Sequence, residues 1–121
     1  MIKVEKTADK IGSGIQNMIQ GAKDGYIQMS TSYGRKELTG YSKEQVDKWE
    51  NLWKVETGKK YIRVVRENCV FCFIVREDSG KFKTGDILKA AGYRAPARNS
   101  ARGNVLEGNY AIQWTGPLYL K

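Results

Sequence analysis

The feature that most constrains the fold is a pair of adjacent β-forming runs in the middle of the chain. Residues 60–66 are β-branched and basic, and residues 69–75 are nearly all apolar. Glu67-Asn68, which lies between them, is typical of a short turn. An apolar run of this length indicates a central strand that is covered on both faces. With residues 81–83 as a short return strand, the sequence predicts a three-stranded antiparallel meander.

The N-terminal segment predicts a helix that is marginal on its own. Apolar residues recur at helical spacing over residues 7–22, and Thr7 is an acceptable N-cap. Gly12 and Gly14 each weaken such a helix by roughly 1 kcal/mol relative to alanine. We therefore expect this helix to need a docking surface, either the body of the domain or another copy of the chain.

The chain ends and the glycine-rich segment give weaker signals. Residues 1–6 alternate as a short edge strand does, residues 110–114 alternate as a last strand, and residues 118–120 suit a terminal strand. Residues 21–41 are interrupted by glycine and have some strand character. We interpret residues 1–41 as an N-terminal extension that packs on a core domain, which comprises the rest of the chain.

Residues 42–56 show the clearest helical pattern in the chain. Ser42 begins a capping box, in which its hydroxyl accepts a hydrogen bond from the backbone amide of Gln45 and the glutamine side chain reaches back. Trp49 and Trp53 lie on the apolar stripe of this segment. A tryptophan pair at this spacing is typical of a hydrophobic core, and we expect it to pack there.

A second, shorter helix is predicted over residues 84–91. Thr84 suits the N-cap, Asp86 favours the positive end of the helix dipole, and Gly92 suits the residue after the C-terminus. We interpret the Asp86 carboxylate as a cap and not as a catalytic acid. The resulting fold class is α+β, with a small antiparallel sheet of about four to five strands packed by two or three helices.

The charge of the chain is concentrated near its C-terminus. The net charge is +8, and residues 81–121 carry seven Lys or Arg against two Asp or Glu. Such an excess suggests a polyanionic partner, although solubility alone is the alternative. The excess lies around a loop of small and polar residues, which favours contact over packing.

Arginines in this loop are spaced so that they can share one face. Pro96 bars a continuous helix but can open a new turn as its first residue. In such a turn Arg98 and Arg102 stand four residues apart, with Arg94 just before them. Like charges on one face repel unless an anion lies between them, which suggests phosphate contact. The alternative is a solvated loop whose arginines pair with acids such as Glu107.

We therefore expect binding to RNA or single-stranded DNA, largely independent of sequence. In this hypothesis arginines hold phosphates while an exposed aromatic residue stacks on a base. No zinc-finger, RRM or KH signature is present, so sequence specificity is not predicted. The candidate binding residues are Arg94, Arg98, Arg102, Lys89, Tyr93 and Asn104.

Several other classes of protein are disfavoured. The chain has two cysteines, Cys69 and Cys72, and no histidine, so it cannot supply a four-ligand zinc site by itself. The two cysteines are three apart on a predicted strand and should point to opposite faces, which predicts reduced thiols in a cytosolic protein. Without histidine or paired carboxylates we expect no catalysis, and neither a cofactor nor a metal. No apolar run reaches the length of a membrane span.

The C-terminal half contains an ordered series of short motifs. These are GDILKAA at 85–91, APAR at 95–98, ARGNV at 101–105 and WTGPLY at 114–119. With VFCFI at 70–74, they resemble a group of small, functionally unassigned proteins of tailed bacteriophages, over residues 60–121. The resemblance implies a phage origin, action in the host cytoplasm and a non-enzymatic role.

A small phage protein with an additional N-terminal half also suits a second hypothesis. In this alternative, the protein binds and inhibits a bacterial enzyme or defence factor, and the glycine- and tyrosine-rich residues 21–41 form the protein interface. Nuclease treatment of a host lysate before a pull-down distinguishes the two hypotheses, because only a nucleic-acid partner is lost.

Overall fold

The structure, a computed structural model, describes residues 2–98, 100–113 and 116–117. In chain order its elements are β1 (Ile2–Val4), α1 (Ile11–Ser30), α2 (Gly40–Asp47), a 3₁₀ turn (Trp49–Leu52), β2 (Trp53–Thr57), β3 (Tyr61–Arg66), β4 (Cys69–Val75), β5 (Ile87–Leu88), β6 (Tyr110–Gln113) and β7 (Gly116–Pro117). The predicted α+β class is confirmed. The described residues form more strands than predicted because they build two sheets.

The larger sheet has the antiparallel order β2-β3-β4-β5 and confirms the predicted hairpin of β3 and β4. The return strand predicted at residues 81–83 is wrong, since Phe82 makes only an isolated bridge with Ser79. The smaller sheet has the order β1-β6-β7, with Ile2 opposite Ile112. The end of the predicted last strand, at 114, and the terminal strand at 118–120 lie outside the described residues.

A β-bulge interrupts the pairing of β3 with β4. Val64 is opposite Cys72 and Val65 is opposite Val70, so Phe71 is an extra residue on β4. An extra residue shifts the alternation of side chains along the strand. Phe71 and Cys72 consequently belong to the same hydrophobic cluster although they are neighbours in sequence.

The helix α1 is longer than predicted and starts later. Lys10 and not Thr7 is its N-cap, and the helix continues to Ser30, so the strand character expected after residue 20 is wrong. Gly14 does more than weaken the helix: a Cβ atom there would lie 2.5 Å from the carbonyl oxygen of Val105. Glycine therefore permits the close approach of α1 to the body of the domain.

The segment predicted as a helix over residues 42–56 divides into three elements. The helix α2 starts at Gly40 and ends at Asp47, and its N-cap Thr39 makes no side-chain capping bond, so the predicted capping box is wrong. Beyond the 3₁₀ turn the chain becomes β2, which pairs along its length with β3. This long-range pairing outweighs the local helical pattern, and Gly58 lies in the hairpin turn between β2 and β3.

The tryptophans of this segment do lie in the core. Trp49 is almost completely buried, and the ring of Trp53 lies 4.9 Å from that of Phe71. The same hydrophobic cluster includes Ile15 and Met18 of α1. The described part of residues 1–41 thus contributes to the core, while the domain boundary after residue 41 stays a prediction.

The helix predicted over residues 84–91 is wrong. Gly85 has a φ angle of +91°, which a right-handed helix cannot contain, and the chain turns there. Ile87 and Leu88 then form β5 and belong to the hydrophobic clusters on opposite sides of the larger sheet. Neighbouring residues point to opposite faces in a strand, which is why these two side chains belong to different clusters.

The larger sheet therefore has two covered faces, which we call inner and outer. The inner face packs in the cluster that contains α1. The outer face carries a smaller cluster of Phe73, Val75, Phe82 and Leu88, with Ala90 and Ala101 packed against it. Residues of the segment that follows β5, Ala90 and Ala101 among them, cover part of this outer face, which is where the candidate site lies.

Candidate functional site

Asn104 is the centre of a hydrogen-bonded turn, which we call the Asn104 turn. Its Nδ2 donates to the carbonyl oxygen of Thr84 and to Oδ1 of Asp86, each at 2.9 Å. Its Oδ1 accepts from the backbone amides of Leu106 at 2.8 Å and Glu107 at 3.1 Å. These four bonds use the whole capacity of the carboxamide. Asn104 therefore serves the fold, in contrast to its predicted contact with nucleic acid.

The Asp86 carboxylate has the same structural role. Besides its bond from Asn104, it accepts a hydrogen bond from the backbone amide of Lys83 at 2.9 Å. The interpretation of Asp86 as a capping group of a helix is wrong in detail, because it caps a turn. The Lys83 donor is three residues away and the Asn104 donor is 18 residues away, so the carboxylate joins a local turn before β5 to residue 104.

Arg102 is buried, which corrects the expectation of three exposed arginines. Only 2 % of its surface is accessible. Its backbone amide donates to the carbonyl oxygen of Ile87 at 2.7 Å, so the chain runs beside β5 there. The described residues between Pro96 and Arg102 form no helical turn, so Arg98 and Arg102 do not share an exposed face.

The other candidates lie on an exposed segment, residues 89–98, which we call the lobe. The amide of Ala97 donates to the carbonyl oxygen of Lys89 at 2.7 Å, and Ala90 forms a bridge with Pro96, so the segment folds back on itself. Exposed side chains on the lobe are Lys89, Tyr93, Arg94 and Arg98. Among the described residues, no ion pair joins Arg94 or Arg98 to a carboxylate, and pairing with Glu107 is not seen.

Between the lobe and the tip of the β2–β3 hairpin lies a cleft of about 290 Å³, which we call the cationic cleft. It is lined by Glu56, Thr57, Gly58, Lys59, Lys60, Tyr61, Arg63, Phe73 and Arg94. The lining contains four cationic side chains and one carboxylate, which leaves a net charge of +3. An anionic group is therefore the ligand that the cleft attracts most strongly.

Arg63 connects the cleft to the lobe. Its Nε lies 2.8 Å from Oε1 of Glu56, and its Nη1 donates to the carbonyl oxygen of Tyr93 at 3.1 Å. The guanidinium carbon also lies 4.4 Å from the centre of the Tyr93 ring. Arg66, three residues later on β3, lies on the opposite face, where its guanidinium carbon is 4.8 Å from the centre of a Trp49 ring.

Arg76 holds the hairpin tip that forms the other wall of the cleft. Its Nη1 donates to the carbonyl oxygen of Gly58 at 2.6 Å and to that of Lys59 at 3.4 Å. These bonds fix the backbone of the hairpin tip, and the side chains of Lys59 and Lys60 are both exposed there.

Acidic residues limit the cationic surface on one side. A neighbouring cavity of about 140 Å³ shares Lys59 and Lys60 with the cleft but also contains Glu77 and Asp78. The backbone amide and the hydroxyl of Thr84 donate to Asp78, which lowers the pKa of that carboxyl group. An ionised Asp78 favours anion binding on the side of the cleft that holds Arg94.

Lys59, Lys60 and Arg63 were missed by sequence reasoning. Gly58 was a usable signal for the two lysines that follow it, because glycine is favoured in turns and turns lie at the surface. The approach of Arg63 to Tyr93, 30 positions later in the chain, carries no local signal.

The cysteines are both free thiols. Cys69 is exposed, whereas Cys72 is buried, and burial raises the pKa of the Cys72 thiol. The bulge corrects the expectation of opposite faces: the two cysteines stand opposite Arg66 and Val64, which share one face of β3. In the described part of the chain, no group of three or more acidic, cysteine or histidine residues could hold a metal.

The fold and the site define a class, namely an α+β protein with a cationic cleft on the outer face of its sheet. The chain belongs to the family of unknown function DUF7717, whose sequence profile matches residues 4–120. No curated protein and no solved structure matches the chain. Neither described helix combines the length and apolar character that a bilayer span requires.

Proposed function

We propose that this protein binds nucleic acid, either RNA or single-stranded DNA, through the cationic cleft and the adjoining lobe. The observation that carries the proposal is the cleft itself, where Lys59, Lys60, Arg63 and Arg94 surround one depression with a single carboxylate. Arg98 adds a further cation on the lobe. The proposed role is binding without catalysis and without a cofactor.

The contacts available in the cleft favour the backbone of the nucleic acid over its bases. Lysine and arginine side chains neutralise phosphates and release counterions, and this term carries no sequence information. The proposed binding is therefore largely independent of sequence and weakens steeply as salt is added. The resemblance of residues 60–121 to small phage proteins supports action in the cytoplasm of a bacterial host.

Charge reversal in the cleft tests this proposal. The double variant Lys60→Glu with Arg94→Glu removes two cations from the lining. Fluorescence anisotropy with labelled oligo(U) and oligo(dT), at several salt concentrations, measures the affinity and its salt dependence. If two phosphate contacts are lost, the slope of log K against log salt falls by about 1.4 for a single strand.

The matched control is Lys10→Glu with Lys36→Glu, which changes the net charge by the same amount on exposed residues outside the cleft. The control variant should retain the salt slope of the original protein. Equal losses in the two double variants would show a response to net charge alone, and would contradict a site in the cleft.

One observation favours a protein partner as a second candidate. Three large apolar side chains are well exposed near the end of α1 and the start of α2, namely Met29, Tyr33 and Tyr41. Exposed apolar groups of this kind are enriched at protein interfaces. A host protein that stays bound after nuclease treatment, and is lost with Tyr33→Ser and Tyr41→Ser, would favour this candidate over nucleic acid.

A further inference from the structure

We infer that Tyr93 is a stacking platform for one unpaired base, supported from behind by Arg63. This inference rests on the proposed function and makes it more specific, because it predicts a preference for single strands over duplexes. The supporting observations are the geometry of Tyr93 and Arg63 and the position of both beside the cationic cleft.

The contact between these residues covers one face of the ring and leaves the other available. The guanidinium carbon of Arg63 lies 4.4 Å from the ring centre of Tyr93. The tyrosine nevertheless keeps 51 % of its surface exposed. A planar cation on one face and solvent on the other is the arrangement of a preformed stacking surface, since a base can complete the sandwich without displacing the arginine.

Glu56 is a positioning residue for this platform. Its carboxylate lies 2.8 Å from Nε of Arg63, while Nη1 of the same guanidinium holds the backbone oxygen of Tyr93 at 3.1 Å. The two bonds orient the plane of the guanidinium. They also engage Arg63 internally, which leaves Lys59, Lys60 and Arg94 as the phosphate contacts of the cleft.

The sequence of the lobe places the stacking residue, Tyr93, next to a phosphate-binding residue, Arg94. Arg94 follows Tyr93 directly and lines the cleft, so a base stacked on Tyr93 has its own phosphate close to a cation. In a duplex each base is stacked and paired, and reaching Tyr93 would require unstacking. A single strand offers free bases, and stacking is tolerant of sequence because every base has a π-face.

The experiment compares Tyr93→Leu and Tyr93→Phe on oligo(U) and on an RNA duplex of the same length. Leucine keeps an apolar side chain against Arg63 but removes the ring, and phenylalanine keeps the ring. Tyr93→Leu should lose about five- to 140-fold in affinity for oligo(U). Its affinity for the duplex should not change, and Tyr93→Phe should bind oligo(U) as the original protein does.

A second readout reports contact directly. Photocrosslinking with oligo(U) that contains 5-iodouridine should give an adduct at Tyr93, located by mass spectrometry. Glu56→Ala should lower the yield of this adduct, and Glu56→Gln, which retains an oxygen acceptor for Arg63, should restore it.

The possible outcomes separate the platform from the proposed function. If Tyr93→Leu binds oligo(U) normally while Lys60→Glu with Arg94→Glu does not, the platform is wrong and nucleic-acid binding by the cleft stands. If the original protein binds neither single strand nor duplex, the proposed function fails, and the platform fails with it.

Discussion

The Asn104 turn and the lobe lie in the same basic stretch of sequence but use their polar groups in opposite ways. In the turn, Asn104 is buried and each of its hydrogen-bonding groups has a partner within the protein. In the lobe, Tyr93, Arg94 and Arg98 are exposed, and no carboxylate among the described residues pairs with the two arginines. The first arrangement stabilises the fold, whereas the second leaves charge available for a partner.

The difference teaches that polar composition alone does not separate a contact surface from a buried turn. Arginine, asparagine and glycine serve both purposes. Burying a polar group is costly unless it is hydrogen-bonded, so the groups of a buried turn must be paired. The pairing, and not the residue types, tells the two regions apart, and variants in each region should have different effects.

Charge reversal at Arg102 and at Arg98 should give the largest contrast. Arg102→Glu would place a carboxylate at a position that is 2 % exposed, so we expect a loss of several kcal/mol in the free energy of unfolding. Arg98→Glu lies on the surface and should change it by no more than about 0.5 kcal/mol. Urea denaturation measures both. If Arg102→Glu is as stable as the original protein and loses only polyanion binding, Arg102 is a binding residue and its structural role is contradicted.

Removing the side chain of Asn104 should have the next largest effect. Asn104→Ala removes four hydrogen bonds from a buried side chain and leaves the backbone amides of Leu106 and Glu107 without their acceptor. Because Leu106 is half-buried and Glu107 is exposed, we expect a total loss of about 1–3 kcal/mol in the free energy of unfolding. The two amides should also exchange with deuterium faster. Asn51→Ala, at an exposed position, is the control and should be nearly neutral. An unaltered melting curve for Asn104→Ala would contradict the structural role of this turn.

Glycine substitutions in α1 test how tightly the helix packs against Val105, the residue after Asn104. Gly14→Ala brings a methyl group to 2.5 Å from the carbonyl oxygen of Val105, and such overpacking costs about 1–3 kcal/mol. Gly12→Ala meets nothing within 4 Å and should instead stabilise the helix, by at most about 1 kcal/mol. Opposite shifts in melting temperature are expected. Two shifts of the same sign would disprove the close contact.

Asp78 should give the smallest effect, one that depends on pH. Hydrogen bonds from Thr84 lower the pKa of Asp78 below its ordinary value of 3.8 in the folded protein. Its stabilising contribution is therefore fully present above that value and is lost as the pH falls through the folded-state pKa. Asp78→Asn should flatten the acid limb of the stability curve. Glu77→Gln is the neighbouring control, and an identical change in both variants would argue against a specific role of Thr84.

Much of the fold could be predicted where the residue types of a short segment indicate its burial. The turn at Glu67-Asn68 and the strands on either side of it follow from β-branched and apolar runs, and the structure confirms β3 and β4. The helix predicted over residues 84–91 failed because Thr84, Asp86 and Gly92 suit a helix, while the deciding partner, Asn104, is remote in sequence. Likewise, β2 owes its extended form to pairing with β3.

The candidate site was predictable only in part, for the same reason. Basic residues beside small ones correctly indicated an exposed segment at Tyr93 and Arg94. They could not show that Arg102 turns inward, because an extended backbone alternates its side chains between the two sides. Nor could they show that Arg63 approaches the lobe, since that contact depends on the register of the sheet.

The extra residue on β4 adds an aromatic side chain to the core without disturbing the rest of the strand. Deleting Phe71 would leave Val65 opposite Val70 and Val64 opposite Cys72, so the remaining side chains of β4 would keep their faces. The deletion would remove the ring that packs 4.9 Å from that of Trp53. An insertion or deletion elsewhere in β4 would instead shift the register and turn side chains to the opposite face, so variation in length among related chains should be confined to position 71 and to the loops.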